Sequence, residues 1–291
     1  MKVLILGVNG LIGHKLFQVL NNNGFDTFGT IRKEKKDFSR YEFMQSDNIL
    51  ENIQIDDISD VNIVLNTLAP EVLINCVGIT IRKPEINNPI KAIAINSLFP
   101  HQLAARCAEL GIRMIHLSTD CVFSGKEGMY TEDSVPDALD MYGRTKALGE
   151  VRNMVNCLTL RSSFIGTEIS DKTELLEWFL AQKGNTIRGY SNAMYSGVST
   201  TFLSSVIMDI LCNYPRLSGL YQIAPDIPIS KYDLLKHAQK AFNIELDIQA
   251  DEGVSINKSL SGEKLKQIIN YNVPSWEAML QELAEEDLDK R

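Results

Sequence analysis

No stretch of this chain stays apolar long enough to cross a bilayer, so the sequence offers no transmembrane helix. Cysteine is sparse and scattered. The five residues, Cys76, Cys107, Cys121, Cys157 and Cys212, form no C-x-x-C pair. That pattern argues against a disulfide framework or a zinc site, and for buried free thiols in a reducing cytoplasm. The four histidines, His14, His101, His116 and His237, lack ligand spacing, so no metal site is expected. Excess positive charge is missing as well. With 37 acidic and 29 basic side chains the net charge is -8, which argues against a nucleic-acid groove but leaves room for a local basic patch around an anionic cofactor. Internal repeats and low-complexity linkers are absent. The opening "MKVLILGVNG" has one lysine and a short apolar run that Gly7 cuts off, so it reads as a first strand and not as a signal peptide.

What is present is an alternation. The 291 residues, 44% hydrophobic and 23% charged, suit one large α/β domain or a domain with a smaller lobe. Strand candidates are "KVLILG", "FDTFGTI", "VLINCVG", "RMIHLST" and "NCLTLRSS". Between them, "LIGHKLFQVLNNNG" and "IKAIAINSLFPHQLAARCAELG" carry apolar residues at helical spacing and stop at Gly24 and Gly111. Alternation of this kind predicts a doubly wound parallel sheet with helices on both faces. Pro100, inside the second helical pattern, is expected to kink or restart it. After residue 165 the rhythm loosens. Helices are expected at "TELLEWFLAQ", "STTFLSSVIMDILC", "KYDLLKHAQKAF", "GEKLKQII" and "SWEAMLQELAEE", with "GLYQIA" extended and the acidic end "AEEDLDKR" a fraying terminus.

Two local patterns carry chemistry. The first is "GVNGLIG", which places Gly7, Gly10 and Gly13 directly after a strand and at the opening of a helix. Glycine lets the backbone turn tightly and approach a pyrophosphate, while the helix N-terminus supplies unpaired N–H groups. In this context the triplet reads as a dinucleotide loop, with Asn9, Leu11 and Ile12 contributing between the glycines. The second strand then ends in "GTIRKEKK". Arg32 and Lys33 offer two cations for a ribose 2′-phosphate where an NAD site carries an acid, which favours NADP(H) and leaves NAD(H) open.

The second pattern combines "HLSTD" at a strand end with Tyr142 and Lys146, four residues apart and therefore on one face of a helix. A cation beside a phenol favours phenolate and is expected to lower the tyrosine pKa. Such a tyrosine can pass a proton to a carbonyl oxygen as hydride reaches the carbon, with a hydroxyl at the strand end holding that oxygen. Together with the glycine loop, these residues read as a nicotinamide-dependent carbonyl–alcohol site.

The motifs "GVNGLIG", "STDCVFSG", "YTEDSVPDALDMYGRTKALGE" and "LRSSFIG" resemble the extended short-chain dehydrogenase/reductases. Within them the chain is similar to the dTDP-4-dehydrorhamnose reductase branch, and the likeness extends to "SLSGEKL" and "VPSWEAML" near the end. The resemblance implies a Rossmann-type fold with a smaller C-terminal α/β substrate lobe. Residues 1–165 would bind NADP(H), with returns from the C-terminal half, and 166–291 would mainly bind a nucleotide sugar. It implies Thr119, Tyr142 and Lys146 as the catalytic triad, Tyr142 being the acid and Lys146 holding the nicotinamide ribose. Asn75 and Gly78, after the fourth strand, either line the nicotinamide side or serve a structural role. Thr80, Arg82, Asp120, Cys121, Phe164, Arg188 and Asn192 would line the sugar-nucleotide site, with Ser199 either a further contact or a helix cap. Arg161, at the end of its strand, is either structural or close to the cofactor.

This chain also departs from the branch. Cys121 replaces the tyrosine of "STDYVF", Arg82 replaces a small apolar residue and Phe164 a frequent tryptophan. Dehydratases of the wider group carry an Asp-Glu pair after the threonine, whereas here Asp120 precedes Cys121, which disfavours dehydration. The expected activity is NADPH-dependent reduction of the 4-keto group of a nucleotide-linked 6-deoxy-hexose. The alternatives are a 4-reductase of a UDP-linked 2-acetamido-2,6-dideoxy-hexulose and, from another class, a non-catalytic regulatory subunit like the branch's partner of methionine adenosyltransferase. A small-molecule substrate is expected and no nucleic-acid or membrane partner. The resemblance leaves a homodimer open.

Overall fold

The computed structural model describes residues 1–55 and 58–288. Its strands are β1 (Lys2–Leu6), β2 (Asp26–Thr30), β3 (Ile49–Leu50), β4 (Val72–Asn75), β5 (Arg113–Ser118), β6 (Cys157–Arg161), β7 (Phe164–Ile165), β8 (Thr186–Tyr190), β9 (Ala193–Tyr195), β10 (Val198–Ser199), β11 (Gly219–Gln222), β12 (Ile229–Ser230), β13 (Asp247–Asp251) and β14 (Ile256–Asn257). The helices are α1 (Gly13–Asn22), α2 (Ile58–Leu68), α3 (Pro89–Ile93), α4 (Phe99–Glu109), α5 (Met141–Leu148), α6 (Leu175–Leu180), α7 (Thr200–Asn213), α8 (Lys231–Ala241), α9 (Glu263–Lys266) and α10 (Trp276–Leu288).

The central sheet follows from the apolar strands. Successive side chains point to opposite faces, so Val3 and Ile5 of β1 enter one core while Leu4 and Leu6 enter the other. Leu16 of α1, Leu203 of α7 and Leu280 of α10 close the first core; Val61 of α2 and Leu103 of α4 close the second. A strand covered on both faces has no polar side to show, which is why these strands read as unbroken apolar runs. Seven strands pair in the order β11-β6-β5-β4-β1-β2-β3, all parallel. This is the Rossmann-type α/β architecture. The order reverses between β1 and β4, the point at which open sheets of this kind form a crevice at the carboxyl ends of the strands.

Elements from the C-terminal half complete the molecule. β11 pairs with β6, so the sheet takes a strand from beyond residue 165. The remaining strands form small units: β7 with β10, β8 with β13, and β9 between β12 and β14. Leu234 and Leu235 of α8 share the first core with Ile187 of β8 and Ile248 of β13. Glu286 of α10 ties two other helices, accepting from Lys15 of α1 at 2.6 Å and from Thr201 of α7 at 3.0 Å. Among the described residues, no helix is long and apolar enough to cross a membrane. The last three residues of the acidic end, 289–291, lie outside the described residues.

Two expectations are refined. Pro100 does not break its helix. α3, a widened π-turn at Ala94–Leu98, and α4 run on without interruption. Proline has no N–H for the carbonyl of Asn96 four residues back, and the widened turn absorbs the loss. That carbonyl oxygen lies 1.9 Å from where a Cβ on Gly149 would be, so only glycine fits at 149. The five thiols are free but not all buried. Cys107 and Cys157 are buried, Cys76 and Cys121 are half-buried, and Cys212 faces solvent from α7.

Gly13 tests the tightness of the loop before α1. A Cβ there would lie 2.2 Å from the Gly7 carbonyl oxygen and 3.0 Å from Val8 Cα, both backbone atoms with no rotamer to yield. Gly13→Ala is therefore expected to cost about 1–3 kcal/mol, read as a lowered midpoint in thermal or denaturant unfolding. An unchanged midpoint would show that the loop yields freely.

Candidate active site

The glycine loop sits at the reversal point. Gly7 has a φ of +82°, a conformation that side chains strain to adopt, and its Cβ position would be 3.1 Å from Val77 in the turn after β4. The Gly10 N–H donates to the Gly7 carbonyl at 3.0 Å, curling the loop into the first turn of α1. Ile12 is buried in the core at the N-terminal cap of α1, with no side-chain cap of its own. Asn9 and Leu11 are half-buried, and the Asn9 carbonyl accepts from Ser170 Oγ at 3.3 Å. Beside the loop, the basic run divides. Lys35 is tied to the Ser46 carbonyl and Lys36 to Glu34, whereas Arg32 and Lys33 are exposed and form no ion pair among the described residues.

Tyr142 and Lys146 rise from α5, whose first turn Asp140 caps by accepting from the Gly143 N–H at 2.8 Å. A Cβ on Gly143 would lie 2.2 Å from the Cys121 carbonyl oxygen, so this glycine lets α5 press onto the strand-end turn. Thr119 follows β5. Its hydroxyl accepts from the Cys121 N–H at 3.1 Å and donates to Asp120 Oδ1 at 3.0 Å. Lys146 is buried and donates to the Leu117 carbonyl at 2.7 Å. Burial pushes its pKa down to about 8, against the opposing pull of Glu150 and Cys76.

The expected lowering of the Tyr142 pKa is not found. Burial pushes the phenol up, Cys121, Asp120 and Glu174 add to the rise, and its hydrogen bond with Thr119 opposes the rise only in part. The physical reason is burial first, with Cys121, Asp120 and Glu174 adding to it while Lys146 is turned onto a strand carbonyl. A neutral phenol is nevertheless the form that can donate a proton. Asp120, also buried, is pushed up by desolvation against its bond from Thr119. The Cys121 thiol is pushed up to about 12 by burial and by Asp120.

Several expected contacts gather here and others do not. Thr80 Oγ1 and Arg82 Nε both donate to Glu174, at 3.3 and 3.1 Å, just before α6. Lys83 pairs with Asp171 in the same segment. Gly78 would carry a Cβ 3.9 Å from Lys146 Nζ, which puts it beside the triad. Asn75 is wholly buried; it donates to His116 Nδ1 at 3.2 Å and accepts from the Val77 N–H at 3.1 Å, so its side chain is occupied in shaping the turn. Phe164 is half-buried on β7 against the first core. Arg188 is exposed and paired with Asp251 at 3.5 Å, and Asn192 is exposed in the turn before β9. Neither bonds to any residue of the Tyr142 cluster. Ser199 caps α7, accepting from the Phe202 N–H at 3.1 Å.

Three residues of the site carry no sequence signal. Tyr195 of β9 is buried against Trp276, its pKa raised by burial and by Asp120, Cys121 and Glu174 while Ser163 opposes. Glu174 joins both tyrosines electrostatically and holds Arg82. Asn96, in the π-turn, accepts from the Ile79 N–H at 2.8 Å and donates to Thr145 on α5 at 3.2 Å. Among the described residues, no three His, Cys, Asp or Glu side chains gather as they would around a metal ion. If acids rather than Lys146 govern Tyr142, phenolate absorbance should show no early-titrating tyrosine below about pH 10, and Tyr142→Phe should leave that part of the curve unchanged. A tyrosine ionising near neutrality in the parent and lost in the variant would contradict this electrostatic picture.

The chain is similar to a probable low-salt glycan biosynthesis reductase of Haloferax volcanii, 28% identical over 80% of this chain and 77% of the relative. It is also similar to methionine adenosyltransferase 2 subunit beta of Xenopus tropicalis, 26% identical over 84% of this chain and 72% of that protein. Among solved structures it superposes on dTDP-4-dehydrorhamnose reductase of Bacillus anthracis in complex with NADP, with a TM-score of 0.80, 20% identity and 98% and 99% of the two chains covered. The dTDP-4-dehydrorhamnose reductase of Clostridium acetobutylicum superposes with a TM-score of 0.79 and 20% identity over 100% of both chains. Residues 1–288 match the RmlD substrate binding domain family, and the chain belongs to that family, within the extended short-chain dehydrogenase/reductases.

Proposed function

We propose that this protein is an NADPH-dependent reductase of the 4-keto group of a nucleotide-linked 6-deoxy-hexose, acting in the cytoplasm in deoxy-sugar synthesis for surface polysaccharide. The observation that supports this reading is the gathering of Thr119, after β5, with Tyr142 and Lys146 of α5, Lys146 donating to the Leu117 carbonyl and lying beside Gly78 in the turn that packs on Gly7. Residues 1–165 hold the cofactor and 166–291 mainly the sugar nucleotide.

The residues present fit a dinucleotide. Gly13 leaves no room for a side chain between α1 and the loop, and the uncapped N-terminus of α1 offers its N–H groups to a pyrophosphate. Arg32 and Lys33, the unpaired part of the basic run, would hold a 2′-phosphate, and Lys146 the nicotinamide ribose. Bound NADPH supplies a hydride for the carbonyl carbon. Thr119 holds the carbonyl oxygen by its hydroxyl, and the neutral Tyr142 phenol donates a proton to that oxygen as charge develops on it. The ammonium of Lys146 then stabilises the phenolate left behind. Cys121, with its thiol held neutral, provides no second acid or base, which supports reduction over dehydration.

One observation favours a second reading. The similarity to methionine adenosyltransferase 2 subunit beta extends over 84% of this chain, so a non-catalytic regulatory subunit is the rival. A panel of dTDP- and UDP-linked 4-keto sugars, with and without a 2-acetamido group, followed by NADPH absorbance, separates the two. Turnover is expected with at least one sugar, and Tyr142→Phe should lower it roughly 100-fold or more while NADPH affinity holds. Tight NADPH binding without turnover of any sugar would favour the regulatory subunit. Arg32→Ala should weaken NADPH binding about tenfold and spare NADH, because bonds to a charged phosphate contribute about 1.5–3 kcal/mol. An unchanged ratio of the two affinities would mean that the basic turn is only solvated.

A further inference from the structure

Glu150 follows Lys146 by four residues, just past the C-terminal end of α5. Its carboxylate has no exposed surface and four donors: Arg161 Nε at 2.7 Å, Arg161 Nη2 at 2.8 Å, Ser118 Oγ at 2.8 Å and Arg152 Nη2 at 2.6 Å. Ser118 ends β5 and precedes Thr119, while Arg161 ends β6. One carboxylate thus joins the helix bearing Tyr142 and Lys146 to the strand that leads into Thr119. Arg161 is itself fixed, its guanidinium 4.8 Å over the Phe123 ring, which stacks on Tyr130 at 4.1 Å. A buried ion pair of this kind gains little net stability over apolar residues of equal volume. Stability alone therefore does not account for a charge at this position.

We propose that Glu150 is a positioning residue for the reaction: it holds α5 in register with β5, so that Tyr142, Lys146 and Thr119 meet, and it sets the negative charge facing the Lys146 ammonium. The inference rests on the reductase reading of the site. The titratable groups around Lys146 are Tyr142 on α5, Glu150 just past its end, Cys76 after β4 and His116 on β5. Burial pushes the Cys76 thiol up to about 12, drives His116 toward its neutral form and keeps Tyr142 protonated. Glu150 is the one among them held ionised: burial raises its pKa, but Arg161, Arg152 and Ser118 together more than offset that rise.

The test compares Glu150→Gln with the double variant Glu150→Met/Arg161→Met, which leaves no half of the pair unpaired. Lys146 is titrated by NMR of its ε-carbon in the protein alone, NADPH affinity is measured by fluorescence, and turnover is measured with a 4-keto sugar nucleotide. The double variant is expected to melt near the parent temperature. Its Lys146 midpoint should nevertheless fall by about 1 pH unit or more, and its turnover roughly 10- to 100-fold. Glu150→Gln should show the same two changes, and if it does not fold the double variant decides. A double variant with parent stability, an unmoved Lys146 midpoint and parent NADPH affinity would overturn the proposal. Those readouts need no sugar. A parent protein that turns over no sugar would therefore sink the reductase reading alone, whereas an unmoved Lys146 sinks this one.

Discussion

Between β1 and β4 the strand order of the central sheet reverses, and the two chains leaving those strands must part in opposite directions. Thr119, Tyr142 and Lys146 collect at this end of the sheet, whereas Arg188 and Asn192 do not join them. Parting at close quarters leaves little volume, and the local sequence answers with glycine. Gly7 passes the turn after β4 in a left-handed conformation, and Gly13 packs directly on the Gly7 carbonyl. The same loop is stitched to the next strand, with the Val8 N–H donating to the Thr30 carbonyl at 3.0 Å and the Gly7 N–H to its hydroxyl at 3.3 Å. Because Leu6 and Thr30 stand opposite in the parallel register, Arg32 and Lys33 necessarily emerge beside the loop. Position of the basic turn is thus a consequence of sheet register, and needs no separate device.

Charge buried next to this crevice works against stability in one place and for it in another. Glu150 has a lowered pKa in the folded protein. Its contribution to stability is therefore present above the ordinary carboxylate range and is lost as pH falls through the lowered value. Asp120 behaves oppositely. With its pKa raised by burial, it favours the folded state at low pH and loses that effect as pH rises through the raised value. Removing one partner of a buried pair such as Glu150–Arg161 typically costs about 3–5 kcal/mol, so the pair is hard to lose once formed. A polar network this deep fixes one arrangement of α5, β5 and β6.

The parts of this architecture that were legible in the sequence are those encoded by neighbours in the chain. Short, largely apolar runs gave most of the sheet strands, Gly24 and Gly111 the helix ends, and "GVNGLIG" the loop with its context. α2 escaped because Ile58, Val61, Ile63, Val64, Leu65 and Leu68 spread around the helix, leaving Ile63 64% exposed and no clean apolar face. A parallel crossover between β3 and β4 requires a connection of that kind, so topology could have supplied what periodicity did not. Within the site, Tyr142 and Lys146 were visible through their spacing. Glu174 and Tyr195 were not, since their link to Tyr142 exists only after segments far apart in sequence meet. Arg188 and Asn192 drew attention as polar residues in a loop. The structure spends Arg188 on Asp251, leaves Asn192 exposed, and brings Tyr195 from the same segment to the cluster.

The electrostatics of Tyr142 follow from that meeting of distant segments. Spacing alone put a cation four residues away, and a cation lowers a phenol's pKa; yet burial raises it, with Cys121, Asp120 and Glu174 adding to the rise. The two influences belong to different moments of a proton transfer. A general acid must hold its proton until the acceptor becomes basic, and acids around the ring secure that. Once the proton has gone, the phenolate needs a counter-charge, and a lysine with a pKa of about 8 is cationic in a large fraction of molecules near neutrality. In its proposed role, Glu150 would keep that fraction high while pinning the helix that carries both groups. In the proposed reaction, burial and the surrounding acids would keep the donor loaded, and the cation on its own helix face would stabilise what the donor becomes.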